Sequence, residues 1–137
     1  MQKPIASLMA VGLLVLAACG TGGEVEPGPV SSLEDFAGTY ENVGPGAPFY
    51  LHIVEDGTIH VSSNRDLVED NPSIISETRF EGTKVFMKDI KGPCDDDPDS
   101  TYEIHLLENG NLQFVEIEDA CAFRSSGLSV DEYAPVP

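Results

Sequence analysis

The chain has 137 residues, of which 24 are acidic and only 7 are basic, and its formal net charge at pH 7 is −17. So acidic a surface repels phosphate groups, and we therefore expect no nucleic-acid partner. Cations and cationic proteins stay open as partners, beside the simpler interpretation that the charge only keeps the protein soluble.

The first 18 residues have the layout of a secretory signal peptide. Lys3 supplies a positive start, an apolar run follows, and Ala17 and Ala18 end it with small side chains. At roughly fifteen residues the apolar run is shorter than the ~20 that a membrane-spanning helix needs. We therefore expect residues 1–18 to be absent from the mature protein.

The run ends in Leu16-Ala17-Ala18-Cys19, which resembles the lipobox of bacterial lipoproteins. The resemblance implies that the Cys19 thiol is acylated, with palmitate-type chains, and that the chain is cut just before this residue. Several acyl chains on one residue make a firm membrane anchor, at about 0.8 kcal/mol per buried methylene. The protein would then sit on a membrane of the bacterial cell envelope and face the periplasm or the exterior.

Residues 19–32 are expected to be a lipidated, flexible tether. From residue 20 onward the sequence GTGGEVEPGPVSS has no hydrophobic periodicity and is rich in Gly, Pro and Ser. Such a segment has an r.m.s. reach of roughly 20 Å. Residues 33–137 would then form one domain, which is long enough for a single hydrophobic core.

Near the start of this domain, Leu33-Glu34-Asp35-Phe36-Ala37-Gly38-Thr39-Tyr40 resembles the opening of lipocalin-like proteins, where a short turn leads into a Gly-x-Trp motif. Tyr40 stands in the tryptophan position. The resemblance implies that a basic residue late in the chain packs over this ring, and Arg124 is the only basic residue after Lys91. We therefore predict a barrel-closing cation–π contact between Tyr40 and Arg124, worth about 0.5–2 kcal/mol.

Short alternating segments separated by turn residues fill the domain, a pattern typical of antiparallel β-structure. Residues 64–70 are expected to form one helical turn, which Asn71-Pro72 ends. About eight strands in sequence order predict an all-β fold, a small antiparallel up-and-down β-barrel. We predict strands near residues 38–43, 49–54, 58–63, 76–80, 84–90, 102–107, 111–117 and 132–136.

Two hairpin turns contain Asp56-Gly57 and Asn109-Gly110. Each allows a two-residue turn, or a three-residue turn in which the glycine forms a left-handed bulge. The three-residue turn gathers the apolar side chains of both strands on one face, whereas the two-residue turn separates them. Burial of apolar area therefore favours the bulged turn in both hairpins.

The bulged register places His52 opposite His60 in the first hairpin. Cross-strand imidazoles about 5 Å apart could share Zn²⁺ or Cu²⁺. Such a site needs a third ligand, and the sequence assigns none. We therefore expect two solvated histidines and no metal cofactor.

With Cys19 assigned to the lipid, Cys94 and Cys121 are left as an even pair in an exported chain. We predict a disulfide between them, which would stabilise the fold by about 3.5 kcal/mol through loop closure. The alternative is a two-thiolate metal site, but ligands at Cys-x-x-Cys spacing are lacking.

The acidic run Asp95–Asp99 has the Asp-x-Asp-x-Asp spacing of calcium loops. An EF-hand loop that began at Asp95 would need glycine at position 100 and glutamate at position 106, where the chain has Ser100 and Leu106. A solvated loop is the simpler expectation, and calcium binding by another geometry stays open. Because nucleophile-elbow and phosphate-binding glycine motifs are also lacking, we expect no enzymatic activity.

These observations leave two candidate functions. The first is a lipid-anchored binding protein whose barrel holds a small apolar or amphipathic molecule. The second is an acidic interaction or inhibitor protein for a cationic envelope partner such as lysozyme. A lumen of ~300 Å³ or more would favour the carrier, and a packed lumen would favour the partner-binding surface.

Overall fold

A computed structural model describes residues 25–129 and 131–137 of the chain. The expected signal peptide and the lipidation site Cys19 lie outside these residues, so both stay predictions. No helix among the described residues has the length and the apolar character that crossing a membrane requires.

The described residues contain nine strands, two single turns of 3₁₀ helix and one short α-helix. One of the 3₁₀ turns lies at Arg65–Leu67, inside the segment that was predicted to form a helical turn. The other lies at Glu34–Phe36. The strands and the helix are β1 (Gly28–Pro29), β2 (Gly38–Val43), β3 (Tyr50–Ile53), β4 (Ile59–Ser62), β5 (Ile74–Glu81), β6 (Lys84–Lys91), β7 (Ser100–Leu106), β8 (Leu112–Glu118), α1 (Ala122–Leu128) and β9 (Glu132–Pro135).

Strands β2 to β9 follow one another around a closed antiparallel barrel, which confirms the predicted all-β up-and-down fold. Each strand pairs with the next one in the sequence, and β9 closes the barrel by pairing with β2. The β8–β9 pairing is short, with only Leu112 and Gln113 opposite β9 residues. The rest of β8 therefore diverges from β9, and α1 lies between these two strands in the sequence.

Both hairpins adopt the bulged register that burial favoured. In the first, the amide of Val54 donates to the carbonyl of Thr58, and Gly57 has φ of 91°. In the second, the amide of Leu107 donates to the carbonyl of Asn111, and Gly110 has φ of 86°. Both glycines lie in the left-handed region that side chains disfavour, so the bulge is stereochemically matched to its residue.

The barrel has two distinguishable ends. One end carries the β3–β4 and β7–β8 turns, and the other carries the start of β7 and the end of β6, which pair through Ser100 and Met87. Helix α1 follows the end of β8, so it lies at this second end. We call the first the turn end and the second the helix end.

Two elements differ from the sequence-based expectation. The expected tether joins the sheet at β1, where Gly28 and Pro29 pair with β7, and Val30 is buried and donates its amide to the carbonyl of Ile104 at 2.9 Å. The packed part of the chain therefore begins before Leu33. Helix α1 was not predicted, because its sequence AFRSSGL contains weak helix formers and spans only two turns.

Three aromatic side chains are among the most deeply buried in the core. Phe114 and Tyr133 pack edge to face with their ring centroids 5.7 Å apart, and Tyr102 is fully buried. Tyr133 also donates its hydroxyl to the carbonyl of Gly127 at 2.6 Å, which holds α1 against the barrel. These contacts fix the helix over one end of the lumen.

Candidate functional site

A cavity of about 160 Å³ lies at the helix end, between α1 and strands β3 to β6. Phe123 lies at the cavity and is 52% exposed, while Leu128 on the same helix is buried. The apolar wall outside α1 consists of Phe49, just before β3, and of the strand residues Leu51, Ile59, Val61, Ile74, Met87 and Tyr133. The lumen is therefore neither a roomy carrier cavity nor a completely packed core.

Two charged residues interrupt this apolar wall. Asp89 on β6 and Arg124 on α1 both line the cavity, and both are buried. Nη1 of Arg124 lies 3.1 Å from Oδ1 of Asp89. The same Oδ1 accepts a hydrogen bond from the hydroxyl of Ser76 at 2.5 Å, and Ser76 also lines the cavity.

Asp119, just after β8, completes a charged cluster. It accepts hydrogen bonds from Nε and Nη2 of Arg124 at 2.8 and 2.9 Å, which is the bidentate geometry that suits a guanidinium and a carboxylate. The hydroxyl of Tyr102 donates to Asp119 at 2.6 Å, and so does the amide of Cys121 at 2.9 Å. We call Asp89, Arg124 and Asp119 the charged cluster.

Hydrogen bonds and neighbouring charges outweigh burial in setting the direction of the pKa shifts of Asp119 and Arg124. Burial alone would raise the pKa of Asp119, but hydrogen bonds from Arg124 and Tyr102 hold this pKa below its ordinary value. Burial alone would lower the pKa of Arg124, but the hydrogen bond to Asp119 and the charge of Asp89 raise it. Burial and the bond to Asp119 also raise the pKa of Tyr102, so its hydroxyl stays a donor.

One nitrogen of the cluster is left without a hydrogen bond. Among the buried side-chain nitrogen and oxygen atoms of the described residues, Nη1 of Arg124 is the one that has no hydrogen-bond partner. It lies 3.1 Å from Oδ1 of Asp89, so the two groups form an ion pair, although the contact does not qualify as a hydrogen bond. The cluster has two carboxylates and one guanidinium, so its formal charge is −1.

The predicted contact between Tyr40 and Arg124 is not formed. Tyr40 is buried and donates its hydroxyl to the carbonyl of Phe36 at 2.9 Å, while Arg124 is held by the two carboxylates. Among the described residues, the cation–π contact is between Arg79 and Phe86, with the guanidinium carbon 4.4 Å from the ring centroid. Two buried carboxylates attract a guanidinium more strongly than a phenol ring does, which explains the difference.

The predicted disulfide between Cys94 and Cys121 is present, with 6.1 Å between the two Cα atoms. It joins the loop after β6 to the residue that precedes α1. Asp97 lies close to both sulfur atoms, but neither sulfur is available as a thiolate. The disulfide therefore replaces the alternative of a two-thiolate metal site, and it fastens the helix beside the cavity.

His52 and His60 are opposite each other, as the bulged register requires, with ring centroids 6.2 Å apart. Nδ1 of His52 lies 3.0 Å from the hydroxyl of Thr39, and Nδ1 of His60 lies 3.0 Å from the carbonyl of Glu69. The Glu69 carboxylate is 3.5 Å from Nδ1 of His52. These three side chains do not bring their ligand atoms close enough together for one ion.

The acidic run Asp95–Asp99 forms the loop between β6 and β7. The amide of Asp95 donates to the carbonyl of Gly92, and the amide of Asp97 donates to the carbonyl of Cys94. Asp95, Asp96 and Asp99 are exposed. The loop thus presents carboxylates to solvent beside the disulfide, and it does not gather them around one point.

Sequence reasoning missed Asp89, Asp119 and Ser76. A signal for Asp89 was present, because it continues the inward-facing alternation of Val85 and Met87 along β6. A carboxylate at an inward position needs buried hydrogen-bond donors, and basic residues and hydroxyl groups are among those that can supply them. No comparable pattern marks Asp119, whose position depends on how the chain turns after β8.

Comparison of this chain with protein-family models, with curated proteins and with solved structures finds no match. The cavity and the side chains that line it are therefore the features from which a function can be proposed.

Proposed function

We propose that the protein is a lipid-anchored binding protein of the bacterial cell envelope, and that its barrel cavity holds a small apolar or amphipathic molecule. The observation that supports binding is the cavity at the helix end, which is mostly apolar and has a few buried polar groups on one side. This combination is typical of small-molecule sites. The Leu16–Cys19 sequence supports the anchor.

The cavity limits the size of the ligand. At about 160 Å³ it is smaller than the ~300 Å³ of ordinary drug-sized sites. A cavity of about 150 Å³ in another protein is known to bind benzene. The ligand, or the part of it that enters the barrel, therefore has about six or seven carbon atoms, and a longer chain would extend past Phe123 into solvent.

The experiment uses benzene and 1-hexanol as probes, with methyl signals in ¹³C–¹H spectra of residues 19–137 as the readout. We expect saturable shifts at Leu51, Val61 and Leu128, which line the cavity. Gly127 also lines it, and a side chain placed there meets no atom within 4 Å at its Cβ. Gly127→Leu should therefore fill part of the cavity and weaken binding by at least about fivefold, or about 1 kcal/mol.

Gly46 provides the matched control. It lies in the exposed loop between β2 and β3, has no positive φ, and its added Cβ also meets nothing within 4 Å. Gly46→Leu should leave binding unchanged. The proposal fails if neither probe gives saturable shifts, or if the two leucine variants weaken binding equally. The anchor is tested separately, since Cys19→Ser should release the full chain from the membrane fraction of an expressing bacterium.

A second candidate, an acidic interaction protein, is favoured by the modest size of the cavity and by the exposed carboxylates of Asp95–Asp99. Its partner would be a cationic envelope protein such as lysozyme. Salt-sensitive binding of lysozyme that survives Gly127→Leu, together with no binding of either probe, would select this candidate.

A further inference from the structure

We propose that the charged cluster makes the cavity selective for uncharged amphiphiles, whose hydroxyl or carbonyl oxygen accepts a hydrogen bond from Arg124, and against the corresponding carboxylates. The inference rests on the proposed function, because it names the class of molecule that the same cavity takes. The cluster supports it in two ways, through its net negative charge and through Nη1 of Arg124, which has no aligned hydrogen-bond acceptor.

Arg124 has a buried nitrogen that could donate to a ligand. Arg124 has a side-chain exposure of only 4% and lines the cavity, and its Nη1 has no aligned acceptor. Nη1 is ion-paired with Asp89 but lacks an aligned acceptor, and a ligand oxygen at this end of the cavity would supply one. An amphiphile would therefore bind with its oxygen toward Arg124 and its carbon chain along β3 and β4.

The net charge of the cluster disfavours an anionic ligand. Asp119 already neutralises Arg124 through two hydrogen bonds, and Asp89 adds a second carboxylate beside the cavity. A ligand carboxylate would make the buried group formally −2, because three carboxylates would share one guanidinium. Burial of an unbalanced charge is strongly unfavourable, whereas a hydroxyl or carbonyl oxygen adds no charge.

Selection by the charged cluster can be distinguished from the effect of simple desolvation on the ligand. Any apolar cavity prefers an alcohol to a carboxylate, because the carboxylate loses more hydration. Selection by the charged cluster has a separate signature, since it depends on the charge of Asp89. If the charge of Asp89 is removed while the shape of its side chain is retained, the preference for the alcohol over the carboxylate must become smaller.

The experiment compares 1-hexanol with hexanoate at pH 7, in the wild-type protein and in Asp89→Asn. Asparagine keeps an oxygen that can accept from Ser76 and face Arg124. We expect hexanol to bind at least about tenfold more tightly than hexanoate in the wild type. In Asp89→Asn this ratio should fall by about tenfold. Asp96→Asn is the matched control, because it removes the same charge from an exposed loop position, and it should leave the ratio unchanged.

Each outcome has a defined meaning. An unchanged ratio in Asp89→Asn overturns the inference, as does tighter binding of hexanoate in the wild type, and both leave the proposed function standing. Binding of neither probe to the wild type overturns the proposed function itself. A second readout needs no variant: hexanol should shift the Arg124 Nε–H signal in ¹⁵N spectra more than benzene does, and equal shifts overturn the inference.

Discussion

The two bulged hairpins have the same turn geometry and both contribute to the core, but only the first of them lines the cavity. In the β3–β4 hairpin, Leu51, Ile59 and Val61 line the cavity. In the β7–β8 hairpin, the corresponding inward side chains fill the core, and none of the described lining residues comes from β7 or β8. Equal backbone registers therefore do not decide whether a lumen is open.

The difference comes from what faces each hairpin. The inner face of β7–β8 meets large rings, because Phe114 packs edge to face on Tyr133. The inner face of β3–β4 has aliphatic side chains, and the cavity beside it is also lined by Ser126 and Gly127 of α1, whose small size leaves space next to the rings of Phe123 and Tyr133. The cavity therefore lies where small residues of α1, and not a further ring, are next to the aliphatic side chains of β3 and β4.

The largest change in stability that tests this comparison is expected when a ring is removed from the β7–β8 hairpin. Phe114→Ala should reduce the free energy of unfolding by about 4 kcal/mol, because it opens a new cavity in a packed region. Leu51→Ala should cost only about 2 kcal/mol, since it enlarges a cavity that already exists. Urea unfolding followed by circular dichroism measures both values. Equal losses would contradict the division into a filled and an open hairpin.

An intermediate change in stability is expected at Asp119, which follows β8 and binds Arg124 of α1. Asp119→Asn should destabilise the protein at pH 7 by about 2 kcal/mol, because it weakens the bonds to Arg124 and Tyr102. The pKa of Asp119 is lowered in the folded state, so its stabilising contribution is complete above the ordinary value of 3.8 and is lost as the pH falls below it. The gap between wild type and Asp119→Asn should therefore close as the pH falls below about 4.

Asp96→Asn serves as the control for this pH dependence, because it removes one carboxylate from an exposed position. It should change the unfolding free energy by less than about 0.5 kcal/mol at pH 7. A gap between wild type and Asp119→Asn that stays constant down to pH 3 would show that Asp119 contributes through packing and not through its charge.

The smallest effect separates the two turns themselves. Both glycines have positive φ, so alanine at either position costs about 1 kcal/mol. At Gly57 the added Cβ would also lie 3.0 Å from the hydroxyl of Thr78, whereas at Gly110 it meets nothing within 4 Å. We expect thermal unfolding to show a loss about 0.5–1 kcal/mol larger for Gly57→Ala. Identical losses would mean that Thr78 moves aside freely.

The strands and their registers could be predicted from the sequence because alternation and burial act locally. A slip of one residue would have exposed Leu51 and Ile53 or their partners, so the register followed from hydrophobicity alone. Strand β1 could not be predicted in this way, because Gly28 and Pro29 have no alternation and pair through backbone geometry with a distant strand.

The cavity was less accessible to sequence reasoning than the barrel was. Arg124 was expected over Tyr40, and its actual partners depend on which carboxylates face inward once the barrel closes. Asp89 could have been found from its inward position on β6. Asp119 could not, because its contact with Arg124 requires both the turn after β8 and a helix of seven residues.

Strand β1 also gives the barrel a direction. Gly28 pairs with Leu106 and Val30 bonds to Ile104, so the chain enters at the turn end and runs toward the helix end. The cavity opens at the opposite pole. With Cys19 acylated as proposed, the anchor would join the barrel at the turn end, so it would leave the mouth of the cavity unobstructed for a ligand to enter and leave.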